Sequence, residues 1–123
     1  MSETVQLVAR DESPGTRSRL DAAVTNTRIP AYAGRATLSD VVAYNPNAVV
    51  VYIQLFDAAT VGAATTPIAA VPLTANSTTA ISLTLGWYFD VGIVYAASTS
   101  PTTLVAPGSA IVMTYSLSQE PVG

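Results

Sequence analysis

Near the C-terminus, Ile111, Met113, Tyr115 and Leu117 alternate with Val112, Thr114 and Ser116. This period of two constrains the fold more than any other feature, because only an extended strand sends successive side chains to opposite faces. One face then belongs to a core and the other points outward. The rule repeats from Thr79 to Leu85, where Ile81, Leu83 and Leu85 oppose Ala80, Ser82 and Thr84. Ala48 to Phe56 is rich in β-branched and aromatic residues and too short for a helix. Asp90 to Ser98 is more uniformly apolar, as expected of a strand covered on both sides. Ile68 to Leu73 reads as a further strand, and Pro72 places it at an edge or a bulge, since proline cannot donate to a central ladder. No stretch carries a sustained helical period or a fixed repeat.

The connections fit the same class. Asn45-Pro46-Asn47 lies between two strand-like segments, and its turn chemistry predicts a hairpin joining Thr37–Tyr44 to the strand that ends at Phe56. Loops rich in Thr, Ala, Ser and Pro fill 59–67 and 98–109. Asn76-Ser77-Thr78 matches a glycosylation triplet, but a turn between strands is the preferred reading. The sum is an all-β chain: a β-sandwich or small jelly roll of about six to eight antiparallel strands.

Charge divides the chain. Residues 1–35 hold all five arginines and four acids, whereas residues 36–123 hold only Asp40, Asp57, Asp90 and Glu120. The polar, turn-prone stretch from Arg10 to Arg19, with Pro14-Gly15 inside it, is expected to be a loop or mobile arm. Residues 1–35 are therefore expected to form an extended N-terminal arm and residues 36–123 the β-sandwich domain, with Val5–Val8 able to add one strand. The N-terminus lacks a basic segment followed by an apolar block, so no signal peptide is expected. The charge-free stretch from Ala58 to Phe89 is long enough to span a bilayer, but Pro67, Pro72, Asn76 and its Thr and Ser argue against a membrane helix.

Several chemistries lose their usual residues. With no Cys and no His, disulfides, zinc–thiolate sites and the commonest nucleophiles and general bases are absent. Paired carboxylates remain as a catalytic route, and Asp57 with Asp90 is the one pair placed at strand ends; the simpler reading is that each caps a turn. Calcium needs several clustered carboxylates, and only Asp11-Glu12 are adjacent. There is no phosphate-binding glycine loop: Gly86 and Gly92 stand apart. An acidic body without a basic surface is poorly suited to nucleic acid. No catalytic residue, metal or cofactor is expected, and neither nucleic acid nor a membrane is an expected partner.

The candidate interface residues are the arginines Arg10, Arg17, Arg19, Arg28 and Arg35, together with Tyr52, Phe56, Trp87, Tyr88 and Phe89. Arginine's planar fork can order an arm against a partner's carboxylates, although a solvated tail is an equal reading. Trp87-Tyr88-Phe89 are consecutive, so they cannot all enter one core. Tyr52 and Phe56 lie opposite Val49, Val51, Ile53 and Leu55, so either a partner or the chain's own loops must cover them. Charged residues make up 11% of the chain, against about 25% in ordinary domains, while Ser and Thr number 11 and 16. Such a surface tolerates close neighbours with little charge desolvation.

Tyr44 to Asp57 (YNPNAVVVYIQLFD) resembles a recurrent block in small β-sandwich structural proteins of tailed bacteriophages. Phe89 to Ser98 (FDVGIVYAAS), followed by a Thr/Ser/Pro loop and a closing strand, resembles the partner block of that group. The likeness spans roughly Tyr44 to Leu117 and leaves out the arm. It implies a virion structural role at the capsid surface, foremost a head decoration or cement protein that binds across adjacent major capsid subunits. It also implies a homo-oligomer, with a trimer favoured. Deleting residues 1–35 should then abolish shell binding. A tail or fibre-associated module that recognises a carbohydrate or receptor, with Trp87 and Tyr88 stacking on sugar rings, is the alternative.

Overall fold

The structure, a computed structural model, describes residues 16–119, with the backbone alone at 16, 17, 83–85 and 119. Eight strands form among these residues: β1 (Thr16–Val24), β2 (Ile29–Ala33), β3 (Ala36–Asn45), β4 (Val51–Asp57), β5 (Ala69–Leu73), β6 (Ser77–Phe89), β7 (Gly92–Ser98) and β8 (Ile111–Gln119). They make two four-stranded sheets, ordered β1-β8-β3-β6 and β2-β7-β4-β5, and every neighbouring pair is antiparallel. The pairing is nested: β1 with β8, β2 with β7, β3 with β6, β4 with β5. The chain is thus one long hairpin, closed at β4–β5 and wound around a core. This is the strand order of a jelly roll.

The core follows the sequence pattern. Ile111, Met113, Tyr115 and Leu117 of β8 are buried, while Val112 and Thr114 face out. Leu38, Val41 and Ala43 join them from β3, and Val51, Ile53, Leu55, Val71 and Leu73 meet them from the second sheet. All of β7 is buried, as its uniformly apolar sequence requires. β5 lies at an edge, where Pro72 costs no ladder bond. Asn76 takes positive φ in the turn between β5 and β6, in keeping with the turn reading of its triplet. The charge-free stretch from Ala58 becomes loop and strand; no helix among the described residues is long and apolar enough to cross a membrane.

Two expectations are corrected. The described part of the expected arm, residues 16–35, is not an arm: β1 fills one edge of the first sheet and β2 one edge of the second. Val24 and Ala31 are buried in the core, and Arg19 Nη1 donates to Ala31 O at 2.6 Å. Edge strands tolerate a polar sequence because half their backbone and many side chains meet water. Arg10 and the Val5–Val8 segment lie outside the described residues. The domain therefore begins at or before Thr16, not at Ala36.

The second correction concerns the hairpin expected at Asn45-Pro46-Asn47. β3 and β4 belong to different sheets, so this segment is a corner between them. Both asparagine side chains turn inward. Asn45 Nδ2 donates to Val49 O at 2.9 Å and Leu73 O at 3.1 Å, and its Oδ1 accepts from Asn47 N at 2.9 Å. Asn47 Nδ2 donates to Asn45 Oδ1 and to Ser109 O, both at 2.9 Å, and its Oδ1 accepts from Ser109 N at 2.7 Å. These bonds draw the chain across the sandwich to the β5 end and the long loop before β8.

Candidate functional site

The outer face of the second sheet is covered by the chain itself. Phe56 is buried with Ala58, Ala64, Val94 and Ala96 in a small second cluster, beneath a loop that carries a 3-10 turn at Val61–Ala63. Arg28 Nη1 donates to Ala64 O and fastens that loop. Gln54, one position along the same face, donates through Nε2 to Ser100 O at 2.8 Å and Thr103 O at 2.7 Å, which holds the other loop. Phe56 is therefore removed from the interface set, because an intrachain lid occupies the place left for a partner. Tyr52, further along β4, is half-buried.

The aromatic run divides as strand geometry demands. Phe89 is fully buried, Trp87 packs half-buried against the core, and Tyr88 is 53% exposed between them. The run follows a bulge where four residues of β6 face one of β3, between the pairs Leu38–Trp87 and Asp40–Ser82. Gly86 makes that bulge possible: its φ is +75°, and a Cβ there would lie 2.3 Å from Thr37 Cγ2. Of the pair offered for sugar stacking, only Tyr88 is exposed.

The three described arginine side chains, Arg19, Arg28 and Arg35, each have a separate partner. Arg17 stands opposite Leu117 on β1, Arg19 and Arg28 bind the chain's own carbonyls, and Arg35 lies 3.5 Å from Asp90 at the exposed surface. Asp21 is likewise structural, accepting from Tyr95 Oη at 2.7 Å. Burial and that carboxylate push the Tyr95 phenol far up, and its ring meets Tyr115 edge-on at 5.3 Å.

Asp57 and Asp90 do come together, but as a clasp. Asp57 Oδ1 accepts from Val91 N at 2.8 Å and Gly92 N at 3.2 Å, and Oδ2 from Asp90 N at 3.2 Å. Gly92 lets the strands close here: a Cβ would lie 2.5 Å from Ala58 O. Partial burial pushes the Asp57 carboxyl up, but the amides of Val91, Asp90 and Gly92 outweigh it and hold it below its ordinary value. Both carboxylate oxygens are taken up by main-chain amides of the following turn, so the geometry fits the turn-capping reading. A depressed carboxyl stabilises the fold above its unfolded value and loses that effect as pH falls through the folded value. Asp57→Asn is thus expected to cost at most about 1 kcal/mol near neutral pH, because solvent screens these exposed bonds. The gap to wild type should close on acidification below about pH 4. Urea midpoints measured across that range check it; a gap independent of pH would refute the ionic origin.

Among the described residues, no loop covers the outer face of the first sheet. Leu20, Val42, Tyr44 and Val112 project from it, Leu20 being 68% exposed. Around them lie Ser18, Thr114, Ser116, Thr78, Ala80 and Ser82, in register across all four strands. Asp40 is the one charge on this face among the described side chains, and Ser82 Oγ donates to it at 2.9 Å. Alternation in the sequence already marked Val112 as outward; Leu20 was obscured by its charged neighbours. Among the described residues no three His, Cys, Asp or Glu side chains gather as a metal site would require. No family model, curated protein or solved structure matches the chain.

Proposed function

We propose that the chain is a virion structural protein, a capsid decoration (cement) protein that stabilises the head shell by binding across adjacent major capsid subunits. The observation that carries this reading is the outer face of the first sheet, a four-stranded surface with a single charge among the described side chains and five exposed large apolar ones, Tyr88 joining Leu20, Val42, Tyr44 and Val112. Such a face loses apolar area to water-free contact at little electrostatic cost, because almost no charge must be desolvated. Main-chain and hydroxyl groups at its rim can supply the polar contacts of a standard interface. The jelly roll supports it only by analogy, since viral capsid proteins and lectins both use that architecture. Self-association into a trimer, placed on the capsid surface, belongs to the same proposal.

The test is decoration of purified empty shells. Val42→Lys and Val112→Glu put charges at exposed positions, where the fold should lose less than about 1 kcal/mol. Shell affinity should fall at least about tenfold for each. Copy number in purified virions, measured by mass spectrometry, should reach hundreds. A doubly charged variant that still decorates at full occupancy, or a dozen copies per virion, would remove this reading.

A further inference from the structure

The covered face of the second sheet leaves an opening between its two loops. A cleft of about 290 Å³ lies there, with Gln54, Arg28, Thr65, Thr102, Thr103 and Leu104 among its lining residues. A second hollow of about 270 Å³ shares Pro67 and Thr102 with it and continues over Ile68 and Pro101. The walls are fixed in place. Ser98 Oγ donates to Thr103 O at 2.6 Å and accepts from Val105 N at 2.8 Å, while Arg28 fastens the opposite loop through Ala64 O.

Two groups in this cleft are left without a complete set of partners. Gln54 is 1% exposed. Two carbonyls, Ser100 O and Thr103 O, already take its Nε2, which fixes the orientation of the amide. No donor among the described residues reaches its Oε1, and a buried acceptor left unmade is costly. Arg28 spends Nη1 on Ala64 O, and the rest of its fork meets no carboxylate among the described residues. No acid lines either hollow, and the cation stands out on a chain of net charge −3.

We propose that this cleft binds an acidic sugar residue: Arg28 takes the carboxylate, Gln54 Oε1 accepts one hydroxyl or amide donor, and the threonines bond the remaining hydroxyls. The donor and acceptor set is that of a carboxylated polyol. Arginine only donates, the amide oxygen only accepts, and each threonine hydroxyl does both. An extended peptide fits less well, because it requires main-chain partners at regular strand spacing. The cleft is about the size of one monosaccharide and is built in advance, which limits the ordering cost of binding. It lies on the opposite side of the sandwich from the face proposed to meet a shell, and it does not depend on that proposal.

The test follows backbone amide shifts and titration calorimetry of the full chain with glucuronic acid, N-acetylneuraminic acid, glucose and acetate. At least one acidic sugar should saturate in the millimolar range and move the amides of Thr65, Thr102, Thr103 and Leu104. Glucose and acetate should each bind at least about tenfold more weakly. Arg28→Gln should remove the preference for the acid, and Thr102→Val, on the exposed loop, should weaken binding even if the arginine variant fails to fold. Tighter binding of an oligo-uronide than of the single sugar would assign a polymer as the source, and equal binding a terminal residue; either supports the site. Equal binding of acetate, equal binding of glucose, shifts confined to other residues, or an acidic peptide saturating where neither sugar does would overturn it.

Discussion

Asn45→Ala is expected to lower stability by about 3–5 kcal/mol, a large part of the roughly 5–15 kcal/mol available to a domain. The side chain is fully buried, and removing it strands Val49 O, Leu73 O and Asn47 N in one step. Leu73 O and Asn47 N, whose bonds to Asn45 are buried, then carry their own desolvation penalty, whereas Val49 O, on an exposed residue, can turn to water. The melting temperature should fall by about 10–20 °C. Asn45→Asp should be no better, because a carboxylate cannot donate to the two carbonyls and adds a buried charge. Asn47→Ala should cost less, yet the double variant should lose less than the sum, since Asn47 donates two bonds to the same Asn45 Oδ1. Chemical denaturation with an unchanged m-value checks the series. A loss below about 1 kcal/mol for Asn45→Ala would mean that the corner is held by its strands alone.

The same corner shows where the sequence could be read and where it could not. Asn and Pro signal a change of direction, and there is one. Whether the chain turns back in its own sheet or crosses to the other depends on which distant carbonyls the amides find, here Leu73 and Ser109. Strand faces were legible because alternation is local: Met113 is in, Val112 is out, and β7 is apolar from Ile93 to Ala97, apart from the Tyr95 hydroxyl, because both its sides are covered. Phe56 shows the limit. Alternation put it opposite the core correctly, but its lid is fixed by contacts 36 and 46 residues apart, Arg28 to Ala64 and Gln54 to Ser100. The cleft between those loops has no local signature for the same reason. Charge misled at β1, where Arg19 sits in an edge strand and its head group finds a carbonyl of β2.

That misreading changes which truncation is informative. Removing residues 1–35 is expected to abolish cooperative folding, whereas removing residues 1–15 should leave the described sandwich intact. β1 supplies seven paired positions to β8, and β2 supplies four to β7. Without them Val24 and Ala31 leave the core, and the Tyr95 hydroxyl loses Asp21. β7, buried along its whole length, would become an unpaired edge with Tyr95 and Val94 at the boundary, a template for aggregation. These losses together exceed the margin of a small domain. Loss of shell binding in the longer truncation would therefore say nothing about a docking arm, since the domain itself would be gone. The shorter truncation isolates the N-terminal segment, and its shell occupancy can be compared with wild type at equal stability. Far-UV circular dichroism and thermal unfolding of both fragments decide the matter. A 36–123 fragment that melted cooperatively near the wild-type temperature would make β1 and β2 appendages and restore the arm.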